Sequence, residues 1–216
     1  MDLRAPIVVL MTSGICALPS YGETFRVLPF EGNSLPSTER FSRKGKVVDG
    51  AHWLDKSGEN LLLLTQTGVI PSKGSNQDNR SAEVHAYQYV KSPRGWREQW
   101  VLNDFERNCP YDLYAGFLPG SLEVSDLDGD GRAETTFLYK LTCRSDVSPS
   151  TLKLIMYEGK VKFAILGTTI VQTGPQSYSG GQKIVNSKLL RAPAIFRRHA
   201  QTQWKKFVNE TKFDQF

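Results

Sequence analysis

The chain has 216 residues, enough for one sizeable hydrophobic core. Eleven Phe, eight Tyr and four Trp exclude a disordered chain, because such chains are poor in aromatic residues. The net charge of +5 is unevenly distributed. Acidic residues concentrate between positions 104 and 134, whereas the segment from Lys183 to Lys206 is basic and contains no Asp or Glu.

The amino terminus has the pattern of an export signal over residues 1–22. An apolar stretch at 5–18 is followed by Ser20 and Gly22, three and one residues before the predicted cleavage site. The stretch is too short for a permanent transmembrane helix. A buried amino-terminal strand is the alternative. We expect a periplasmic or secreted protein whose mature part, residues 23–216, is a single domain without a transmembrane segment.

Cleavage there would leave two cysteines, Cys109 and Cys143. In an exported protein an even number of cysteines predicts a disulfide. This bond would close a loop of about 34 residues and stabilise the fold by roughly 3–4 kcal/mol in the chain-entropy model. Two buried free thiols are the alternative.

Apolar and polar residues then alternate in a series of segments that predict antiparallel hairpins. The predicted strands are 25–30, 47–54, 60–67, 84–90, 96–102, 122–124, 135–143, 152–157 and 161–166. The run Leu61–Leu64 is apolar on both faces, which predicts a strand in the middle of its sheet. Polar residues at 71–81 and Gly/Ser-rich residues at 174–181 predict loops.

The last predicted element is an amphipathic helix at about 193–208. Pro193 suits a first helical turn, and Phe196, Ala200 and Trp204 recur at helical spacing. The fold class is therefore mainly β (α+β): an antiparallel β-meander of successive hairpins, with the carboxy-terminal helix packed on the sheet.

The opposite face of this helix is basic, which allows two interpretations. It could contact a polyanion such as a cell-envelope glycan, or it could simply be a solvated surface, as charged helix faces usually are. The export signal argues against nucleic acid as the partner.

The acidic run Asp126–Glu134 has the clearest chemistry. Carboxylates occupy its positions one, three, five and nine, and Gly131 occupies position six, where a sharp turn needs positive φ. Calcium binds six to eight oxygen ligands, so this run predicts a structural Ca²⁺ site. A solvated Asp/Gly turn is the alternative, although four carboxylates in nine residues repel one another.

Position twelve of the run is Phe137 rather than the Glu of a helix–loop–helix calcium site, and both flanks are predicted strands. The spacing instead resembles the DxDxDGxxE strand–loop–strand calcium sites of integrin-like propeller repeats. That resemblance covers about a dozen residues and does not imply a propeller. The metal ligands that it implies are Asp126, Asp128, Asp130, the main-chain carbonyl of Arg132, and Glu134.

The segment 53–60 repeats the strand–Asp/Gly turn–strand layout of the acidic run. It lacks the carboxylates at positions three and five, so we expect no ion there. A degenerate repeat and a coincidence of turn chemistry both explain the similarity.

A wider resemblance covers roughly the second half of the chain. It rests on Asp126–Gly131, Phe137–Tyr139, Cys143–Pro149 and Leu152–Tyr157. These segments resemble a poorly characterised family of small exported bacterial proteins, some of which are labelled as related to surface-polysaccharide biosynthesis. The resemblance implies a bacterial envelope setting and carries over no catalytic residues.

The remaining chemistry of the chain favours a non-catalytic role. The sequence contains no Gly-x-Ser-x-Gly elbow, no phosphate-binding Gly-rich loop and no Cys-x-x-Cys pair, and its three histidines lack metal-ligand spacing. We therefore expect a calcium-stabilised envelope or secreted protein that acts as a glycan-associated accessory. The alternative is an enzyme of surface-polysaccharide metabolism.

Two structural features would separate these functions. A deep cleft with carboxylates about 5–10 Å apart, drawn from residues such as Asp112 and Asp146, would favour glycan hydrolysis. A flat aromatic surface would favour glycan binding, although the same side chains could belong to the core. That surface would be built from Tyr87, Tyr89, Trp96 and Trp100.

Overall fold

The computed structural model describes residues 25–30, 43–71 and 79–210, and in this part the chain forms fourteen strands and two helices. Strands make up 60% and helices 11% of the described residues, which confirms the mainly antiparallel β fold predicted from the sequence. The elements are β1 (Arg26–Leu28), β2 (Lys46–Asp55), β3 (Gly58–Gln66), β4 (Ile70–Pro71), β5 (Arg80–Ser92), β6 (Gly95–Cys109), β7 (Asp112–Phe117), β8 (Glu123–Ser125), β9 (Glu134–Arg144), β10 (Thr151–Glu158), β11 (Val161–Thr168), β12 (Ile170–Gly174), β13 (Ser177–Gly180), β14 (Lys183–Val185), α1 (Ser187–Arg191) and α2 (Ala194–Phe207).

The strands form two six-stranded antiparallel sheets and one small hairpin. Sheet A has the order β1-β2-β3-β5-β4, with β6 paired to β5. Sheet B has the order β14-β11-β10-β9-β7, with β8 paired to β9, and β12 pairs with β13 alone. The sequence therefore predicted the hairpins correctly, whereas their division between two sheets became visible only in the structure.

One face of each sheet contributes to a shared core. Trp53 and Leu62 of sheet A belong to the same buried cluster as Phe137 and Tyr139 of sheet B. All four side chains are at most 2% exposed, and burying each one stabilises the fold by about 1.5–3 kcal/mol. Strand β3 lies between β2 and β5, as its run of leucines predicted.

Helix α2 covers the other face of sheet B. Phe196, Ala200 and Trp204 are buried against residues of β9, β10 and β11, among them Leu154 and Phe163. Pro193 is the residue that precedes the first turn. Sheet B is therefore buried on both faces, and the predicted amphipathic helix is confirmed.

The four aromatic residues whose common surface would have favoured glycan binding are divided between the two faces of sheet A. Tyr87, Tyr89 and Trp96 belong to a cluster on its outer face, whereas Trp100 packs in the inner core. The cause is a register shift in β6: Tyr89 pairs with Glu98, but the preceding residue of β5 pairs with Trp100. The extra residue reverses which side chains point inward, so the four aromatic residues do not form one flat surface. Tyr87 and Tyr89 are buried, in agreement with the alternative that these side chains belong to the core.

The Gly/Ser-rich segment 174–181 was predicted to be a loop, and this prediction was wrong for most of it. Most of it belongs to the hairpin of β12 and β13 rather than to an open loop. The predicted loop at 71–81 is partly structured, since Pro71 ends β4 and Arg80 begins β5. Residues 72–78 between them, and the predicted export signal at 1–22, lie outside the described residues. Neither helix in the described part is long and apolar enough to cross a membrane.

The two cysteines lie at disulfide-bonding distance, which confirms the prediction of one disulfide. Cys109 ends β6 in sheet A and Cys143 lies near the end of β9 in sheet B, with 5.7 Å between their Cα atoms. The bond therefore joins the two sheets at the carboxy-terminal end of β9.

Candidate metal site

The acidic loop connects β8 to β9 at the opposite end of β9 from the disulfide. Its flanks are strands, as predicted. Each of Asp126, Asp128 and Asp130 offers one carboxylate oxygen, and the three oxygens lie within 4.8 Å of one another. Asp126 is half-buried, whereas the other two aspartates are exposed. The fold thus brings together three of the five predicted ligands around one point.

Main-chain N–H groups of the loop hold the aspartates in place. Gly131 N–H donates to Asp126 Oδ2 at 3.0 Å, and Arg132 N–H donates to Asp130 Oδ1 at 2.7 Å. Asp130 N–H donates to Asp128 Oδ1 at 3.3 Å. Each bond uses one oxygen of a carboxylate, which leaves the second oxygen of each aspartate for another partner.

Two glycines allow the chain to turn this tightly. Gly129 and Gly131 have φ of +75° and +83°, a region that glycine occupies without the steric cost of a Cβ. The positive φ predicted for Gly131 is confirmed, and Gly129 shares it.

Glu134 is the first residue of β9, directly after the acidic loop, and is fully buried. Leu127 N–H donates to its Oε2 at 2.7 Å, while its Oε1 is buried without a hydrogen-bond partner. The pKa of Glu134 is raised to about 8, chiefly by burial. The hydrogen bond from Leu127 lowers this pKa, whereas the negative charges of Asp128, Glu158 and Asp126 raise it further. A buried carboxylate in such a position is stable as an anion only beside a positive charge.

Asp126 has the same kind of unsatisfied atom. Its Oδ1 is buried and accepts no hydrogen bond from the described residues. Unsatisfied buried carboxylate oxygens cost free energy, and a bound cation is one way to offset that cost. The residues therefore fit a hard divalent cation, which prefers carboxylate oxygens.

The fourth predicted ligand, the main-chain carbonyl of Arg132, follows the three aspartates in the same loop, and Arg132 is half-buried. The structure shows its N–H bonded to Asp130. The assignment of the Arg132 carbonyl as a metal ligand stays a prediction. The assignment of Glu134 also stays a prediction, because the cluster of carboxylate oxygens consists of Asp126, Asp128 and Asp130.

Sequence reasoning missed Glu158. It pairs with Glu134 across β9 and β10, and burial, followed by the charges of Asp130 and Asp128, raises its pKa. Glu158 lies far from the acidic run in the sequence, so only the pairing of β9 with β10 brings it beside the loop. It adds a further negative charge beside the loop.

The sequence also did not predict that the loop contacts sheet A. Lys56 N–H donates to Gly131 O at 2.7 Å, and Ala133 N–H donates to Asp55 Oδ2 at 3.1 Å. Asp55 is the last residue of β2, and Lys56 begins the turn between β2 and β3. This is the turn whose layout resembles the acidic run, so the two similar turns pack against each other.

The other groups considered in the sequence are the carboxylates of Asp112 and Asp146 and the three histidines. Asp112 and Asp146 are exposed. The histidines contact separate partners: His52 lies 3.0 Å from Glu59, His85 2.6 Å from Asn103, and His199 3.1 Å from Thr136.

Fold and loop together define a class: a disulfide-linked protein of two antiparallel sheets with an acidic strand–loop–strand turn. Comparison with protein-family models, with characterised proteins and with solved structures found no match for the chain. The resemblance to small exported bacterial proteins therefore stays a prediction.

Proposed function

We propose that this is an exported, non-catalytic protein of the bacterial envelope or its surroundings, in which Ca²⁺ bound at Asp126–Glu134 stabilises the fold. The observation that supports it best is the pair of buried, unsatisfied oxygens, Asp126 Oδ1 and Glu134 Oε1, beside two further aspartates. A divalent cation would satisfy both oxygens and offset the repulsion among the carboxylates.

In this proposal the ion acts through the packing of the two sheets. The loop that it would order carries the contacts of Gly131 and Ala133 to the β2–β3 turn. The disulfide joins the same sheets at the far end of β9. Metal and disulfide would thus restrain both ends of one central strand.

Thermal unfolding of the purified protein with calcium, with magnesium and with chelator tests the proposal. Extracellular calcium modules bind at about 10⁻⁴–10⁻³ M, so the titration should reach about 10 mM. At about 10 mM, calcium would stabilise the native state by about 2.7 kcal/mol for a Kd near 10⁻⁴ M and by about 1.4 kcal/mol for a Kd near 10⁻³ M. The Tm would rise by about 3–11 °C for a chain of this size. Magnesium, which needs a tighter octahedral site, should give a smaller shift.

Asp128→Ala should abolish the calcium-dependent shift because it removes one of the three clustered carboxylates. Asp146→Ala, an exposed aspartate outside the loop, is the matched control and should keep the shift. No shift in the wild-type protein, or an equal shift in Asp128→Ala, would overturn the proposal.

We further propose that the protein associates with an envelope glycan. The support is the resemblance to proteins labelled for surface-polysaccharide biosynthesis, together with a cleft on sheet A that is lined by Lys44 and Arg107. Retention of the purified protein on immobilised acidic or neutral polysaccharide tests this association directly. An enzyme of polysaccharide metabolism stays the alternative, and the exposed positions of Asp112 and Asp146 do not favour it.

A further inference from the structure

A second candidate site lies on sheet A, away from the acidic loop. A cleft of about 360 Å³ opens over β5 and β6 and continues to the residues that precede β2. Its charged lining consists of Arg43, Lys44, Glu83, Asp104 and Arg107. That volume falls in the range of small-ligand pockets.

The cations in the cleft exceed the anions that face them. Asp104 is already occupied, since Tyr139 Oη and Lys153 Nζ both donate to its Oδ2. Glu83 approaches Lys44 and Arg107 only at 3.8 and 3.9 Å, beyond hydrogen-bonding distance. The side chains of Lys44 and Arg107 are 73% and 58% exposed, so their N–H groups can reach an incoming anion.

A buried polar side chain lines the same cleft. His85 is 2% exposed and contacts Asn103 Oδ1 through Nδ1 at 2.6 Å. Its Nε2 lies 3.2 Å from Glu83 Oε2, but no described group is oriented to form a hydrogen bond with it. Because Nε2 is inaccessible, His85 acts by holding Asn103 through Oδ1, and the exposed side-chain amide of Asn103, which lines the cleft, can donate to a hydroxyl group of a ligand.

The cleft also has an apolar wall. Phe105 is 44% exposed although it is a large hydrophobic residue. The guanidinium of Arg107 stacks on its ring at 3.8 Å from the centroid, a cation–π contact that holds the arginine beside the cleft. The cleft thus combines cations, hydroxyl-binding groups and an aromatic surface.

We infer that this cleft binds a sugar that carries a carboxylate, such as a uronic acid unit of an acidic glycan. Lys44 and Arg107 would bind the carboxylate, the side-chain amide of Asn103, held by His85, would bind a ring hydroxyl, and Phe105 would contact the apolar face of the sugar ring. An inorganic anion would use only the first of these contacts, and a neutral sugar only the other two. The inference rests on the proposed glycan association and specifies its ligand class and its site.

Titration of the isotope-labelled protein, followed by NMR amide shifts, tests the inference. Galacturonate and glucuronate serve as probes, with galactose, acetate and phosphate as comparators, all at constant ionic strength and saturating calcium. Uronates should perturb amides of β5 and β6 and bind about tenfold more tightly than either galactose or acetate, because they alone use both sets of contacts.

Arg107→Gln should weaken uronate binding about tenfold, the usual effect of losing one charge-assisted hydrogen bond. Arg97→Gln is the matched control, since Arg97 is an exposed arginine of the same strand outside the cleft, and it should change nothing. Equal binding of acetate and uronate, or no perturbation of β5 and β6, would overturn the inference.

Retention on immobilised polysaccharide separates this inference from the broader proposal. Retention by acidic polysaccharide that Arg107→Gln weakens supports both. Retention that Arg107→Gln leaves unchanged overturns the cleft as the site but keeps the glycan association. No retention on any polysaccharide overturns the glycan association itself.

Discussion

The contact between the acidic loop and the β2–β3 turn predicts that Asp55 is important for stability. Its Oδ2 accepts hydrogen bonds from Trp53 Nε1 at 3.0 Å and from Ala133 N–H at 3.1 Å. Trp53 is 0% and Ala133 4% exposed, so both donors lose their partner in a place that water does not reach easily. The Asp55→Ala variant removes the acceptor of both hydrogen bonds at once.

The expected loss follows from these two donors. Leaving a buried donor unsatisfied costs about 1–3 kcal/mol, so Asp55→Ala should destabilise the protein by roughly 2–6 kcal/mol. A loss near the middle of that range, about 4 kcal/mol, would lower the Tm by about 8–16 °C. We further expect a weaker calcium-dependent shift, because the loop would lose part of its support on sheet A.

Urea unfolding followed by tryptophan fluorescence, with calcium and with chelator, measures both effects. Asp146→Ala is the control and should stay within about 0.5 kcal/mol of wild type, as surface substitutions usually do. A loss below about 1 kcal/mol together with an unchanged calcium effect would refute the coupling between the turn and the loop.

Three other predictions concern the remaining tertiary links. Glu210→Gln should destabilise the fold by about 3–5 kcal/mol in urea unfolding. The reason is that the Glu210 side chain is 1% exposed and forms ion pairs with Lys140 and Arg144 at 3.1 and 2.8 Å. A loss below about 1 kcal/mol would contradict a stabilising role of these buried ion pairs. Burial alone would raise the pKa of Glu210, but hydrogen bonds from Arg144 and Thr169 and the charge of Lys140 lower it below its usual value of 4.5. Its contribution is therefore fully present above that value and is lost as the pH falls below it, so the wild-type protein should lose stability below about pH 4.5 more steeply than the Gln variant. Replacing both disulfide cysteines by serine should cost roughly 3–4 kcal/mol while preserving the calcium-dependent shift, and loss of that shift would mean that the two ends of β9 are not independent.

The elements that sequence reasoning predicted well are those defined by local patterns. The composition of Leu61–Leu64 alone predicts a central strand. The spacing of Phe196, Ala200 and Trp204 likewise indicates one face of a helix without reference to other elements. The aromatic residues of β6 show where this reasoning fails. Alternation places Trp96 and Trp100 on one face, but the register shift opposite Tyr89 separates them. That shift depends on how β5 and β6 pair along their whole length.

The cleft on sheet A also depends on long-range strand pairing, so the sequence could not predict it. Lys44, His85 and Arg107 lie far apart in the sequence and share no motif, and they come together only because β5 pairs with β6 beside the chain that leads into β2. Glu210 approaches Lys140 and Arg144 in the same way, from the end of the described chain.

The acidic run shows how far sequence alone reaches in this protein. Turn chemistry and carboxylate spacing are local, so the sequence by itself determined a tight acidic loop between two strands, with Gly131 at positive φ and three aspartates around one point. What the loop contacts is not local. Only the packing of sheet B on sheet A decided that it rests on Asp55 and Lys56, because main-chain groups of the two turns form hydrogen bonds only once the sheets share their core.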